Sequence, residues 1–359
     1  MHGDELGPTH RILVTGGSGF IGSAFVLDAI SRGMSVLNLD ALTYAAIPAS
    51  LACIASNPAY EFVQGDITDQ ELVERLLTKY RPHKVAHFAA ESHVDRSITD
   101  AAAFIRTNVI GTHTLVEATL RYWESLDAET RQSFRFLHVS TDEVFGSLGA
   151  EGLFSETTAY DPRSPYSASK ASSDHLVRAW GHTFGLPIVV SNCSNNYGPR
   201  QFPEKLIPLT ILNALERKPL PVYGDGSNVR DWLFVDDHVA ALHLMLERAE
   251  AGTTYVVGGR AERRNLDVVE RICDLVDAAS GDAAGGRREL ICFVTDRPGH
   301  DQRYAIDPAC IQGALGWAPA ESFESGLART VDWYLSNADW WRPIRTGAYR
   351  GERLGLRRA

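Results

Sequence analysis

The sequence predicts an α/β fold: a doubly wound parallel sheet with helices on both faces, followed by a smaller, mixed C-terminal lobe. Three observations predict it. Strand-length apolar runs alternate with helix-length amphipathic runs from Arg11 to Ser191, the pattern of successive βαβ units. A glycine-rich turn directly follows the first apolar run. Beyond about Tyr197 the alternation weakens, and Pro, Gly and aromatic residues become more frequent.

The strands are read at Arg11–Thr15, Ser35–Leu39, Glu61–Val63, Lys84–Phe88, Arg135–Val139 and Ile188–Ser191. Their near-continuous apolar character suits a sheet buried on both faces. Helical patterns cover roughly Ile21–Arg32, Gln70–Lys79, Ala102–Leu120 and Tyr166–Thr183. A first domain is therefore placed at 11–195, with later elements returning to it, and the lobe mainly at 196–341. Residues 1–10 and 342–359 are read as tails. The second is arginine-rich and lacks apolar periodicity, so it is read as solvated, with phosphate binding as the lesser alternative.

Composition narrows the function classes. The 359 residues are 44% hydrophobic and 22% charged, with a formal net charge of −10. Such a balance argues against nucleic acid or an anionic membrane as the main partner. An anionic small substrate stays open, because local arginines can make a positive pocket in a negative protein. Cys53, Cys193, Cys273, Cys292 and Cys310 are scattered, odd in number and lack a Cys-x-x-Cys pair. They suit neither a disulfide framework nor a metal site. The opening MHGDELGPTHR has no apolar stretch, and no later run has membrane-spanning length. The expected place of work is cytoplasmic.

Gly16, Gly19 and Gly22 lie between a predicted strand and a predicted helix. Glycine there permits a tight turn and close backbone approach to a pyrophosphate, while the helix N-terminus offers unpaired N–H groups. Asp40 ends the second strand about twenty residues later, where an acid meets adenosine ribose hydroxyls. A carboxylate there repels a 2′-phosphate, so a Rossmann-type domain binding NAD rather than NADP is expected. Asp66, in Gly65-Asp-Ile67, suits the adenine end; its alternative role is to cap the helix that follows Thr68 and Asp69.

Tyr166 and Lys170 stand four apart on a helix opening after Ser164-Pro165, so phenol and ammonium share one face. A phenol with a pKa near its usual value of about 10 is a poor base. A neighbouring ammonium and a positive nicotinamide ring are expected to favour the phenolate. Ser140-Thr141-Asp142-Glu143 follows the strand ending at Val139, at the sheet edge where α/β folds place ligands. Adjacent carboxyls are superfluous for simple alcohol oxidation. An elimination needs one carboxyl as base and another as acid, with differently tuned pKa values. The alternative is a solvated acidic loop.

With these residues in place the chain resembles the dTDP-glucose 4,6-dehydratase family, part of the extended short-chain dehydrogenase/reductases, along nearly its whole length. The matching stretches are TGGSGFIGS, LDALTYA, GDITD, HFAAESHVDRS, HVSTDEVFG, SPYSASK, NNYGPRQFPEKLIP, PVYGDGSNVRDWLFVDDH, VGGRAERRN and DRPGHDQRYAID. The Asp-Glu pair and the last four stretches belong to this branch, whereas TGGSGFIGS and Tyr-x-x-x-Lys are shared across the superfamily.

The resemblance implies an internal redox cycle. Tyr166 takes the C4 hydroxyl proton while NAD⁺ takes the C4 hydride, Lys170 holds the cofactor ribose, and Thr141 contacts the sugar. Glu143 removes the C5 proton, Asp142 protonates the C6 hydroxyl, water leaves, and hydride returns to C6. Cofactor contacts are implied for Gly16, Gly19, Phe20, Ile21, Gly22, Asp40, Leu42, Thr43, Asp66, Ile67, Phe88, Ala89, Ala90, Ser92, Thr107, Ser140, Tyr166, Lys170 and Asn196. Contacts to a nucleotide-diphosphate hexose are implied for Ser92, Thr141, Asn195, Glu204, Lys205, Leu206, Pro221, Tyr223, Arg230, Asn265, Arg297 and His300. Arg230 and Arg297 suit a diphosphate, since a guanidinium fork meets phosphate oxygens in pairs; salt bridges to Asp231 and Asp296 are their alternative. Tyr223 suits stacking on the base or a core position.

A homodimer is also implied, with helices Ala102–Leu120 and Tyr166–Thr183 at the seam. Two departures touch the site: Ala45-Ala-Ile-Pro48 replaces the usual Gly-Asn continuation, and Arg200 replaces an aromatic residue, adding charge near the substrate mouth. The competing functions are a 4,6-dehydratase of a UDP-, CDP- or GDP-hexose, a nucleotide-sugar 4-epimerase, and a non-catalytic NAD-binding scaffold. An epimerase has no work for Asp142 and Glu143, and the scaffold reading leaves Thr141, Tyr166 and Lys170 without purpose.

Overall fold

A computed structural model describes residues 10–281, 286–347 and Tyr349. Twelve strands follow in order: β1 Arg11–Thr15, β2 Ser35–Asp40, β3 Tyr60–Gln64, β4 Lys84–His87, β5 Arg135–Thr141, β6 Ile188–Cys193, β7 Asn195–Tyr197, β8 Leu220–Tyr223, β9 Val229–Phe234, β10 Thr254–Val257, β11 Glu262–Arg264 and β12 Ile291–Val294. Seven of them form one sheet in the order β3-β2-β1-β4-β5-β6-β10, and every pairing in it is parallel. The chain reverses its winding direction between β1 and β4, the crevice where open α/β sheets hold ligands.

Each sheet face has its own core. Ile12, Val14, Phe25, Val26 and Leu242 pack on one side, and Leu13, Leu37, Val85, Leu115 and Phe136 on the other. Neighbouring residues of β1 thus alternate between faces, as strand geometry requires. The smaller lobe has a separate core of Tyr197, Ile211, Phe234, Val268 and Leu327. Its backbone is organised by the sheet β11-β9-β7 and the pair β12-β8.

Two readings need correction. The helix expected at Ala102–Leu120 is interrupted: α-helices Ala101–Phe104 and Thr112–Glu124 flank a π-helical segment, Ile105–Gly111. A π-turn aims side chains away from the regular helical face, and this one points Asn108 inward. The Asn108 Oδ1 accepts from Glu91 N at 2.9 Å, and its Nδ2 donates to Glu91 O at 3.0 Å and Ser169 Oγ at 2.8 Å. The solvated tail is also wrong for 342–346, which belong to the helix Ala338–Thr346. Trp341 and Ile344 anchor that helix in the molecule, and Arg345 pairs with Glu216 at 2.7 Å. Residues 1–9, 348 and 350–359 of the expected tails lie outside the described residues.

Candidate active site

The cofactor end is built by the turn after β1. Gly16 has φ +73°, and a Cβ there would stand 2.6 Å from Ala89 N. At Gly22 a Cβ would stand 2.2 Å from Gly16 O, so the helix Phe20–Ser31 can approach the turn only through glycine. No side chain caps that helix and no acid occupies its first turn, which leaves its N–H groups facing the cleft for an anion. Asp40 accepts from Ser18 N and Leu42 N, one bond to each carboxylate oxygen at 2.8 Å. Both oxygens keep a lone pair for ribose hydroxyls. Asp66 lines the same cleft and also accepts from Thr68 N at 2.8 Å, so local turn bonding and the ligand role coexist. These residues fit NAD.

Gly22→Ala is expected to push helix and turn apart, costing about 1–3 kcal/mol as overpacking does, and to strip the cofactor. Nucleotide released on denaturation, together with the thermal midpoint, measures both effects.

One continuous cleft joins this end to the catalytic constellation. Its wall includes Gly16, Gly19, Phe20, Ile21, Gly22, Asp40, Thr43, Asp66, Ile67, Phe88, Ala89, Ala90, Ser92 and Thr107, and continues through Ser140, Thr141, Asp142, Glu143, Tyr166, Lys170, Asn195, Asn196, Glu204 and Lys205. Leu42 lies off it and contributes its backbone N–H to Asp40. Leu206, Pro221, Tyr223, Arg230, Asn265, Arg297 and His300 lie off it too, on the smaller lobe. Arg230 and Arg297 nonetheless act electrostatically on Glu143 and His300, so this group begins where the catalytic end of the cleft stops. Sequence reasoning missed Glu91, Cys193, Ser194, Gln201 and Phe202 in the wall. Glu91 stood inside the matched stretch HFAAESHVDRS, which was the available signal.

Lys170 is 4% exposed and its Nζ donates to Val139 O at 2.9 Å. Burial lowers its pKa, opposed by the nearby charge of Asp174. Asp174, held down to about 2 against its own burial by His138 and Lys170, keeps a fixed negative charge beneath the ammonium. The Tyr166 phenol lines the same cleft as Lys170. Burial first, then the Glu143 charge, push that phenol up, opposed by a hydrogen bond with Thr141.

The two carboxyls differ in their surroundings. Asp142 is 1% exposed, and its Oδ2 is buried without a hydrogen-bond partner. Burial pushes its pKa well up, aided by Glu143 and Asp231. Glu143 opens partly onto the cleft. Burial raises its pKa too, but Arg297, Arg230 and Lys205 all pull it back. The acidic-loop alternative fails on burial alone.

The two arginines make contacts other than the side-chain salt bridges to Asp231 and Asp296 named as their alternative. Arg230 donates to the carbonyls of Val229 and Asp301 and stacks over Tyr304 at 4.1 Å. Arg297 pairs with Asp95 at 2.9 Å, while Asp296 takes the His300 ring at 2.6 Å. Glu204 accepts from Tyr44 and Arg96 at 2.9 and 3.0 Å. Arg200 lies over Trp333 and off the cleft wall, so the charge expected at the mouth is turned elsewhere. Ala45 and Ala46 do line the cleft.

Asp231 provides a stability test beside the site. Burial raises its pKa from 3.8 to about 6, so the folded state holds this proton more tightly than the unfolded state. The associated stability is full below about pH 4 and is lost as pH rises through about 6. Asp231→Asn keeps an acceptor for Ala261 N and is expected to gain on the order of 3 kcal/mol near neutral pH. Denaturant midpoints across that window should show the gain vanishing in acid.

Comparison with known proteins adds the remaining observation. A family described as GDP-mannose 4,6 dehydratase matches residues 13–330. The dTDP-glucose 4,6-dehydratase of Xanthomonas campestris pv. campestris (strain B100) is 58% identical over 344 residues, covering 96% of this chain and 98% of that protein. The chain belongs to the dTDP-glucose 4,6-dehydratase family. Another member, dTDP-glucose 4,6-dehydratase 1 of Escherichia coli (strain K12), is 55% identical over 95% of this chain and 97% of its own length. The crystal structure of the Bacillus anthracis dTDP-glucose 4,6-dehydratase in complex with NAD superposes with a TM-score of 0.83 at 44% identity, covering 94% of this chain and all of that one. A UDP-glucose 4-epimerase from Thermus thermophilus shares the fold at a TM-score of 0.80 and 30% identity, over 91% of this chain and 99% of that one. Fold alone therefore does not separate dehydratase from epimerase.

Proposed function

We propose that Tyr166, Asp142 and Glu143 divide the proton transfers by which this NAD-dependent hydro-lyase converts dTDP-glucose to dTDP-4-keto-6-deoxyglucose. The observation that carries this division is the unequal tuning of adjacent carboxyls in one cleft with the Tyr166–Lys170 couple. When bound in the cleft shared by Gly16, Asp40, Tyr166 and Lys170, NAD would supply the oxidising and then the reducing equivalents.

Tyr166 accepts the proton of the C4 hydroxyl, with Thr141 beside it to fix the phenol. Glu143, whose carboxyl burial raises and three cations pull back, removes the C5 proton once C4 is a ketone and returns a proton to C5 as C6 is reduced. Asp142, kept protonated by burial, delivers its proton to the C6 hydroxyl, which leaves as water. Activity is expected to fall on the alkaline side as Asp142 ionises. In Asp142→Asn, whose residual turnover lacks that acid, the corresponding limb of the kcat profile should disappear; an unchanged profile contradicts the role.

The same reading includes a homodimer and a cytoplasmic place of work. Ile105, Ile110 and Phe184 are 47, 51 and 48% exposed on or beside the two helices expected at the seam, which supports pairing of like chains. Light scattering of the purified protein tests it. Five free cysteines suit a reducing compartment. Among the described residues no helix is long and apolar enough to cross a membrane.

A further inference from the structure

The short helix Val94–Thr99 follows the segment that walls the cofactor end of the cleft, and two consecutive side chains on it reach the smaller lobe. Asp95 is 3% exposed. Its Oδ1 accepts from Arg297 Nη1 at 2.9 Å, and its Oδ2 accepts from the Tyr223 hydroxyl at 3.0 Å. Arg96 Nε donates to Glu204 at 3.0 Å. One buried carboxylate therefore joins two side chains that arrive separately, Tyr223 from β8 and Arg297 from the irregular stretch after β12.

Arg297 is the residue most in need of such a hold. It sits outside any helix or strand, and a long guanidinium side chain loses much rotamer freedom when fixed. Asp95 engages one terminal nitrogen, while Arg297 Nε is buried without a hydrogen-bond partner. The remaining donors of the fork are thereby left for another acceptor. A carboxylate near a diphosphate site also repels the ligand, so its presence here requires that ordering outweigh repulsion.

We propose that Asp95 is a positioning residue for the nucleotide-diphosphate end of the substrate. It holds Arg297 and Tyr223 in the arrangement that receives diphosphate and base, and it ties that arrangement to the cofactor-side segment. This rests on the dTDP-glucose reading above, and the test separates the two. Binding of dTDP, followed by titration calorimetry on the NAD-loaded protein, needs no turnover.

Asp95→Asn keeps an acceptor for Tyr223 and removes the charge that holds Arg297. It is expected to weaken dTDP binding and raise KM for dTDP-glucose by one common factor, on the order of 10–100-fold, as misplacement of a binding group does. The effect on kcat, felt only through a looser Arg297 beside Glu143, should be smaller than that on KM, with bound NAD retained. In an Arg297→Ala background the same substitution should add almost nothing, because the two residues act as one unit. Tyr223→Phe, which breaks the second contact from the other side, should weaken dTDP binding in the same direction. Unchanged or tighter dTDP binding in Asp95→Asn, an undiminished effect in the Arg297→Ala background, or loss confined to kcat and NAD content would each overturn the proposal. Wild-type protein that binds dTDP yet fails to dehydrate dTDP-glucose would instead overturn the functional reading, leaving Asp95 tested by binding alone.

Discussion

Asp142→Asn combined with Glu143→Gln is expected to abolish water loss while leaving C4 oxidation partly alive. Removing one general acid or base commonly costs about 10²–10⁴ in rate, and here both are removed from one step. The amides keep the size of the carboxyls and surrender their protons, so packing around the buried Asp142 is little disturbed. Asp142 has an unpartnered Oδ2 and a pKa driven up by burial; as an amide it can no longer release a proton to the C6 hydroxyl. Single-turnover mixing with dTDP-glucose should show reduced nicotinamide accumulating and persisting, because the cycle halts between oxidation and elimination. Water loss at normal speed in the double variant would contradict the assigned roles.

Tyr166→Phe is expected to fail one step earlier, by a comparable factor of about 10²–10⁴. It removes the group that takes the C4 hydroxyl proton and leaves Lys170 on Val139 O, so cofactor binding should survive. The two variants then differ in a visible way: reduced nicotinamide accumulates in the carboxyl variant and does not build up in the phenol variant. Burial and the charge of Glu143 raise the Tyr166 phenol, so the protein's own charges oppose the phenolate. Glu143→Gln alone removes one of those opposing charges. The rate of C4 oxidation in that variant is therefore expected to hold its value to lower pH, which rapid-mixing absorbance across pH would read.

Much of this arrangement was legible from residue order. The first six strands fall where runs of strand length predicted them; five are buried on both faces and need no alternation, whereas β3, at the sheet edge, exposes Glu61, Phe62 and Gln64. Gly16, Gly22 and Asp40 were readable because their demands are local: a positive φ, a close backbone approach and an acid at a strand end. Asp142 and Glu143 were readable as chemistry, since an adjacent pair at a strand terminus is costly unless it works. The unequal tuning of that pair was not, because it comes from burial first and then from Asp231, Arg230, Arg297 and Lys205, all distant in sequence. The π-helical segment at Ile105–Gly111 escaped the amphipathic pattern, for the bonds Asn108 makes there reach Glu91 and Ser169, 17 and 61 positions away. The helix Ala338–Thr346 was hidden by its arginines and by Pro343. Its helical state depends on burying Trp341 and Ile344 against residues far back in the chain. Asp95 lay inside a matched stretch, but nothing in the order of residues points it toward Arg297, 202 positions away.

The most direct test of the account follows one atom. dTDP-glucose carrying deuterium at C4 is incubated with the purified protein, and the product is read by mass spectrometry and NMR. Internal oxidation and return predict a product lighter by one water that retains the deuterium, now at C6. Deuterium released to solvent, or a product that keeps its C6 hydroxyl, would contradict it.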